Sequence, residues 1–248
     1  MNQQQIIDVG GEKGGIGKSI VCRTLADYHN ERGLPFTLFD TDRSNPDVWR
    51  VFQDQGCELA IFSEARRFQD AANPIFNAAQ DGRVLVNLPA QVLPAMKEWF
   101  EKNEILDIAR DAGIQFVLVF VTDGEYDSLS LLRKTLEYFQ ADVQHLVVKN
   151  NGVVKSEDAR TAWANFEADE QLNALIAQVK AKVMEFPAFH GDSELMTIDN
   201  QSLTFRKALS YSGFGLISRQ RVKNFLRAAY AAFDATELFV PAVAPVKE

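Results

Sequence analysis

Long apolar runs are missing from this 248-residue chain. No stretch of about 18 hydrophobic residues occurs, which excludes a transmembrane helix. Cysteine is nearly absent: Cys22 and Cys57 are the only two, with neither the number of a disulfide scaffold nor the spacing of a metal site. A reduced, cytosolic protein is therefore expected. The three histidines, His29, His145 and His190, are scattered without metal-ligand spacing. No G-x-S-x-G elbow is present, which removes that route to a serine nucleophile. The N-terminus, MNQQQIIDVG, lacks a basic region and has only a brief apolar run, so it does not read as a signal peptide. There is no internal repeat and no low-complexity linker. Positive charge is also in deficit: a net charge of −8 argues against a uniformly basic nucleic-acid coat.

What is present is enough apolar material for a sizeable core, 46% of residues, arranged in a recognisable alternation. Short apolar runs at 5–9, 36–39, 84–88, 116–121, 145–148 and 183–186 read as strands. Helical stretches lie between them, at 19–32, 128–139 and 156–182, the last long and polar enough for one or two surface helices. This alternation predicts an α/β fold with a doubly wound, mostly parallel sheet and helices on both faces. In the last helix Val222, Phe225, Leu226, Ala229, Tyr230 and Phe233 recur at helical period and form one apolar face. One domain is expected over residues 1–238. The proline-containing tail 239–248 is expected to be flexible or strapped to the surface.

The stretch GGEKGGIGKS, residues 10–19, follows the first strand and precedes a helix. Its end, Gly17-Lys18-Ser19, fits a phosphate-binding loop, G-x-x-x-x-G-K-[ST], except that Glu12 stands at the first glycine position. The chemistry needs small residues so that backbone N–H groups can converge on phosphates, with the positive end of a helix dipole behind them. Gly14, Gly15, Ile16, Gly17, Lys18, Ser19 and Ile20 are the expected nucleotide contacts. Lys18 would reach the terminal phosphates and the Ser19 hydroxyl would ligate Mg²⁺.

Lys13-Gly14-Gly15-Ile16-Gly17-Lys18-Ser19 also resembles the deviant Walker A loop of the ParA/MinD family of P-loop ATPases, K-G-G-x-G-K-[ST]. The resemblance implies a P-loop NTPase fold, ATP and Mg²⁺ as cofactors, and an ATP-dependent homodimer. Lys13 matches the family's signature lysine, which reaches across the dimer to the partner's ATP and can neutralise charge on the transferred phosphoryl group. The alternative is a solvated loop lysine.

Further positions follow the same resemblance. The second strand ends in FTLFDTD, where the family carries D-x-D. Asp42 would orient the attacking water and Asp40 would sit near the Mg²⁺ shell, although an Asp after a strand is also an ordinary turn residue. The family's Walker B strand ends in D-x-P-P or D-x-P-A, but here Asn87 replaces the aspartate ahead of Pro89-Ala90. Asparagine can accept a hydrogen bond from a Mg²⁺-bound water but brings no charge. Intact nucleotide binding with slow or metal-sensitive hydrolysis is expected. Asn150 stands where the family contacts adenine, the competing reading being an Asn150-Asn151-Gly152 turn. Pro187 resembles the proline whose loop lines the base pocket. No aspartate follows an N-K-x step as in guanine-specific loops, so ATP is favoured over GTP.

Six basic residues, Arg206, Lys207, Arg219, Arg221, Lys223 and Arg227, occur between positions 206 and 227 without an acidic one. ParA relatives bind DNA nonspecifically through basic residues near the C-terminal end, and phosphate contacts need only such a surface. The other reading is a solvated helix flank, since Arg221, Lys223 and Arg227 lie off the apolar face. The terminal segment is broken by proline and ends in Glu248, so membrane targeting of the MinD kind is not expected. The resemblance implies a cytoplasmic, bacterial ATPase switch in plasmid or chromosome partition or conjugal DNA transfer. It would bind nonspecific DNA, with nucleoid association, or a ParB-like or mobilisation partner. A slowly hydrolysing or non-hydrolysing ATP-dependent scaffold that positions a protein partner without DNA is the other functional class.

Overall fold

A computed structural model describes residues 3–154 and 159–239. Seven strands form one sheet: β1 (Gln5–Gly10), β2 (Phe36–Asp40), β3 (Glu58–Leu59), β4 (Arg83–Asn87), β5 (Gln115–Thr122), β6 (Gln144–Asn150) and β7 (Lys182–Phe186). Their order is β3-β2-β4-β1-β5-β6-β7, and every neighbouring pair is parallel. The central strands read as near-continuous apolar runs because both faces of the sheet are covered.

The helices are α1 (Lys18–Arg32), α2 (Asp47–Phe52), α3 (Asn73–Ala79), α4 (Leu93–Lys102), α5 (Ile105–Ala112), α6 (Tyr126–Phe139), α7 (Ala159–Ala168), α8 (Glu170–Gln178), α9 (Asp192–Asn200), α10 (Phe205–Ala208) and α11 (Leu216–Thr236). Alternate strand residues point to opposite faces. Ile7, Val9, Leu85, Val117 and Val119 meet Val21 and Leu25 of α1 and Phe225 and Phe233 of α11. Ile6, Val84, Val86, Phe116 and Leu118 meet Ile75 and Phe76 of α3, Met96, Trp99 and Phe100 of α4, and Ile105 of α5. No helix among the described residues is long and apolar enough to cross a membrane.

The six expected strands are all present, each longer or shifted by a residue or two. The expected helix at 19–32 is α1, which stops at Gly33 in the left-handed conformation (φ 63°). The α11 face is as expected, with Val222, Phe225, Leu226, Ala229 and Phe233 buried and Tyr230 half-buried. The stretch 156–182 is two helices, α7 and α8, and then the start of β7 at Lys182; residues 156–158 lie outside the described residues. Phe239, at the start of the tail expected from sequence to be flexible or strapped to the surface, is buried. It packs on Tyr28, His29 and Phe233, and its carbonyl accepts from Arg83 Nη2 at 3.0 Å. Aromatic burial outweighs the proline signal there, and residues 240–248 lie outside the described residues.

This strand order has a functional consequence. The chain winds from β1 out to β3, returns to β4 on one side of β1, then continues at β5 on the other. Ligands of open α/β sheets bind beyond the carboxyl ends of the strands at such a reversal. The loops after β1, β2, β4, β5, β6 and β7 all leave the sheet at that edge.

Candidate functional site

The loop after β1 is shaped by two glycines. Gly11 has φ 152°, and a Cβ there would lie 2.6 Å from the Val121 carbonyl oxygen and 2.5 Å from Ile16 Cδ1. Gly17 has φ 84°, and its Cβ would meet Asn150 Nδ2 at 2.3 Å. Ile16, between them, is buried and anchors the loop in the core, leaving its backbone as the part able to face a ligand. The carbonyl of Ile16 accepts from Asn150 Nδ2 at 2.8 Å. Lys18 Nζ donates to the carbonyl of Lys13 at 2.9 Å. Gly14 and Gly15 are exposed at the tip.

Helix α1 starts at Lys18 with no side-chain cap and no acidic residue in its first turn. Its first N–H groups are therefore open to an anion. Ser19 and Ile20 lie in this turn, both half-buried. Burial lowers the Lys18 pKa, an effect opposed by the charges of Asp42 and Glu12. Lys18, Asp42 and Glu12 thus share one electrostatic neighbourhood.

Glu12 does something the motif did not suggest. Its carboxylate accepts from Leu93 N at 3.2 Å, capping α4, while its carbonyl accepts from Gln91 N at 3.1 Å. Gln91 is held at φ 56°. The segment after β4 is thereby fastened to the loop after β1. Burial raises the Glu12 pKa, with the Leu93 amide and Lys18 opposing.

Asp40 and Asn87 are register partners at the ends of β2 and β4. Asp40 is fully buried, and both its oxygens are engaged. Oδ1 accepts from Asp42 N at 3.1 Å and Asn87 Nδ2 at 2.9 Å; Oδ2 accepts from Val48 N at 3.0 Å and Trp49 N at 2.9 Å, in the first turn of α2. Burial raises the Asp40 pKa and these bonds oppose it. Asn87 is 1% exposed, and its Oδ1 has no hydrogen-bond partner. Thr41 closes the pair by donating N and Oγ1 to the Asn87 carbonyl. Asp42 is half-buried, with Oδ1 accepting from Ser44 N and Asn45 N.

The orphaned Asn87 Oδ1 and the Ser19 hydroxyl fit a Mg²⁺ that arrives on phosphates and keeps its waters, since buried acceptors are normally satisfied. They do not make a protein cage: among the described residues no group of three His, Cys, Asp or Glu could hold a metal.

Lys13 is held inside its own chain. Its Nζ lies 2.6 Å from Asp123 Oδ2, in the turn between β5 and α6. At the end of β6, Asn150 Oδ1 accepts from Gly152 N at 3.0 Å, and Asn151 N donates to the Phe186 carbonyl. A Cβ on Gly152 would lie 3.8 Å from Ala188 Cα, so this turn abuts the segment that begins at Pro187.

The basic stretch is divided. Arg206, Lys223 and Arg227 line a groove of about 750 Å³ with Arg32, Tyr230, Leu226, Glu31 and Asp234. Arg206 is ion-paired with Glu31, and Arg32 with Asp234. Arg221 pairs with Glu194 at 2.8 Å, and Arg219 donates to the Tyr211 carbonyl at 3.1 Å. Lys207 is exposed on α10 and does not line the groove. Arg32, Asp123 and the contact of Glu12 with Leu93 were missed from sequence because the partners are distant in the chain.

No protein-family model matches this chain. It is similar to protein MobD of Acidithiobacillus ferrooxidans, 32% identical over 146 residues. That match spans 57% of this chain and 61% of MobD, less than two thirds of the relative's length. It is also similar to protein TraL of Escherichia coli, 23% identical over 235 residues, 90% of this chain and 94% of TraL. Among solved structures, a McdA–ATP complex from Cyanothece has a TM-score of 0.53 at 11% identity, covering 93% of this chain and 98% of that one. The MinC:MinD cell division protein complex of Aquifex aeolicus gives 0.52 at 13%, covering 98% and 99%. MinD with Mg-ADP from Pyrococcus horikoshii gives 0.51 at 14%, covering 96% and 99%. At these identities the likeness establishes the fold: the parallel sheet and its helices have the MinD-type P-loop architecture that the loop resemblance implies.

Proposed function

We propose that this chain is a ParA-like ATPase switch. It binds ATP with Mg²⁺ at the loop after β1, closes into a homodimer around the nucleotide, and in that state engages DNA or a partner protein. The observation that carries the reading is the loop itself, where Lys13 and Lys18 bracket a glycine turn at the uncapped start of α1. Its backbone amides and Lys18 bind the phosphates. Ser19 and the free Asn87 Oδ1 would hold Mg²⁺ and its waters, and the ion would neutralise charge on the phosphates. Asp42 orients the attacking water, Asp40 fixes Asn87, and Lys13 acts across the dimer. Asn150 and Pro187 border the base. Solved neighbours in complex with ATP and with Mg-ADP support the choice of nucleotide. The relatives named MobD and TraL support a setting in DNA mobilisation or conjugal transfer.

A second reading is favoured by two observations. The β4 end carries no carboxylate of its own, and two of the six cations in the basic stretch are already ion-paired, with Glu31 and Glu194. These favour a slowly hydrolysing scaffold that positions a protein partner without DNA. Binding to nonspecific duplex DNA with Mg·ATP, with ADP and without nucleotide, across a salt series, separates the two. ATP-dependent, steeply salt-sensitive binding weakened in Lys223→Ala and Arg227→Ala supports the DNA switch; no binding at low salt leaves the scaffold.

A further inference from the structure

We propose that Asp123 is a positioning residue that latches Lys13 within a single chain and sets the charge threshold a nucleotide must exceed to draw it across a dimer. The inference rests on the dimer reading above and assigns the group that competes with the nucleotide for Lys13.

The geometry has a fixed side and a mobile side. Strands β1 and β5 are neighbours, in register from Gln5↔Gln115 to Gly10↔Phe120, so the turn after β5 stands beside the phosphate loop. That turn is internally braced. Thr122 Oγ1 accepts from Gly124 N at 3.2 Å and lies 2.9 Å from Ser128 Oγ, both buried. Asp123 Oδ1 accepts from Glu125 N at 3.2 Å, which aims Oδ2 at the loop. Lys13 comes to it on a flexible four-carbon stem. The contact is 2.6 Å long, with side-chain exposures of 30% for Lys13 and 10% for Asp123, so it is partly shielded from solvent. The Lys13 carbonyl is tied as well, by Lys18 Nζ.

Held this way, Lys13 has committed its reach and one of its three N–H donors to Asp123, so contact with phosphate on a second copy competes with this pair. To leave, it must exchange one carboxylate for a stronger anion. The triphosphate of ATP presents more charge than the diphosphate of ADP, so the latch favours release by ATP. Tyr126, three residues on, is 75% exposed and places an aromatic surface beside the latch, available to a second copy.

The test is sedimentation velocity of the full chain with Mg²⁺ and either a non-hydrolysable ATP analogue or ADP. Wild type is compared with Asp123→Asn, Asp123→Ser, Asp123→Glu, Lys13→Gln and the Lys13→Gln/Asp123→Asn pair. Asp123→Asn and Asp123→Ser each keep an acceptor for Glu125 N, so a folding defect in one does not decide the matter. The expected result is a dimer dissociation constant about three- to fivefold lower with the analogue in both. Some dimer should also form with ADP, Asp123→Glu should behave as wild type, and Asp123→Asn should have no effect in the Lys13→Gln background. A wild-type dimer that Asp123→Asn leaves unchanged or weakens overturns the latch alone. If no variant dimerises with either nucleotide, the dimer reading fails and the latch with it.

Discussion

The side-chain amide of Asn87 donates to Asp40 Oδ1 across 2.9 Å, at facing positions on β4 and β2. The negative charge of this edge of the site therefore resides on β2, and the β4 residue is a neutral donor to it. Replacing Asn87 with Asp sets two buried carboxyls against each other, and one must hold its proton. Asn87→Asp is expected to destabilise the fold by about 3 kcal/mol at pH 8. The raised carboxyl keeps its proton in the folded state, so the loss shrinks as pH falls toward 5. The swap Asp40→Asn/Asn87→Asp restores one charge and recovers part of the stability. Urea unfolding at the two pH values reads this directly; equal stability of Asn87→Asp and wild type at pH 8 would refute the pairing.

Asp8, in the middle of β1, is 2% exposed, its Oδ1 has no partner, and burial raises its pKa from 3.8 to about 7. The folded state then holds a proton that the unfolded state has released. This contribution is fully present below pH 3.8 and is lost as pH rises through about 7. Asp27 behaves alike, raised by burial to about 7, while His29, lowered by burial to about 3, has the opposite slope below pH 6.5. Asp8→Asn should be more stable than wild type at pH 8 and lose that advantage by pH 4. A constant difference across that range in a pH series of unfolding free energies would show that Asp8 does not titrate in this window.

Glu12 accepts from Leu93 N and so ties the phosphate loop to the start of α4. Glu12→Gly, which recreates the usual first glycine of the motif, is expected to cost about 1 kcal/mol, as for loss of a helix cap. Hydrogen exchange at the Leu93 amide should accelerate. Unchanged exchange there means the cap does not hold in solution.

Asn150 spends one amide hydrogen on the Ile16 carbonyl and accepts from Gly152 N. Asn150→Ala therefore loosens the loop for every nucleotide. Affinity for ATP and GTP should fall by similar factors, on the order of tenfold, consistent with loss of about 1–2 kcal/mol of buried hydrogen bonding. Calorimetric titration with both nucleotides checks this; a fall confined to ATP would assign the side chain to reading adenine instead.

Much of this was legible in the sequence, for a physical reason. Parallel strands buried on both faces appear as compact apolar runs, and Gly11 and Gly17 mark positions in the loop where a Cβ cannot fit. Other features depend on partners brought together by the fold. Glu12 looked like a missing glycine until the start of α4 arrived beside it. Lys13 looked committed to a partner chain, yet its nearest anion is Asp123 of the same chain. Asp40 looked like a Mg²⁺-shell residue, but four donors from the loop after β2, from α2 and from β4 occupy it. Strand β3 is two residues long at the sheet edge and has no periodicity to read.

The most direct measurement is the solution mass of the chain with Mg²⁺ and a non-hydrolysable ATP analogue, with ADP and without nucleotide, for wild type and Lys13→Ala. A nucleotide shared between two copies through Lys13 predicts twice the monomer mass with the analogue only, and a monomer under all three conditions in Lys13→Ala. A wild-type chain that binds the analogue and stays monomeric, or a Lys13→Ala chain that dimerises as wild type does, would contradict it.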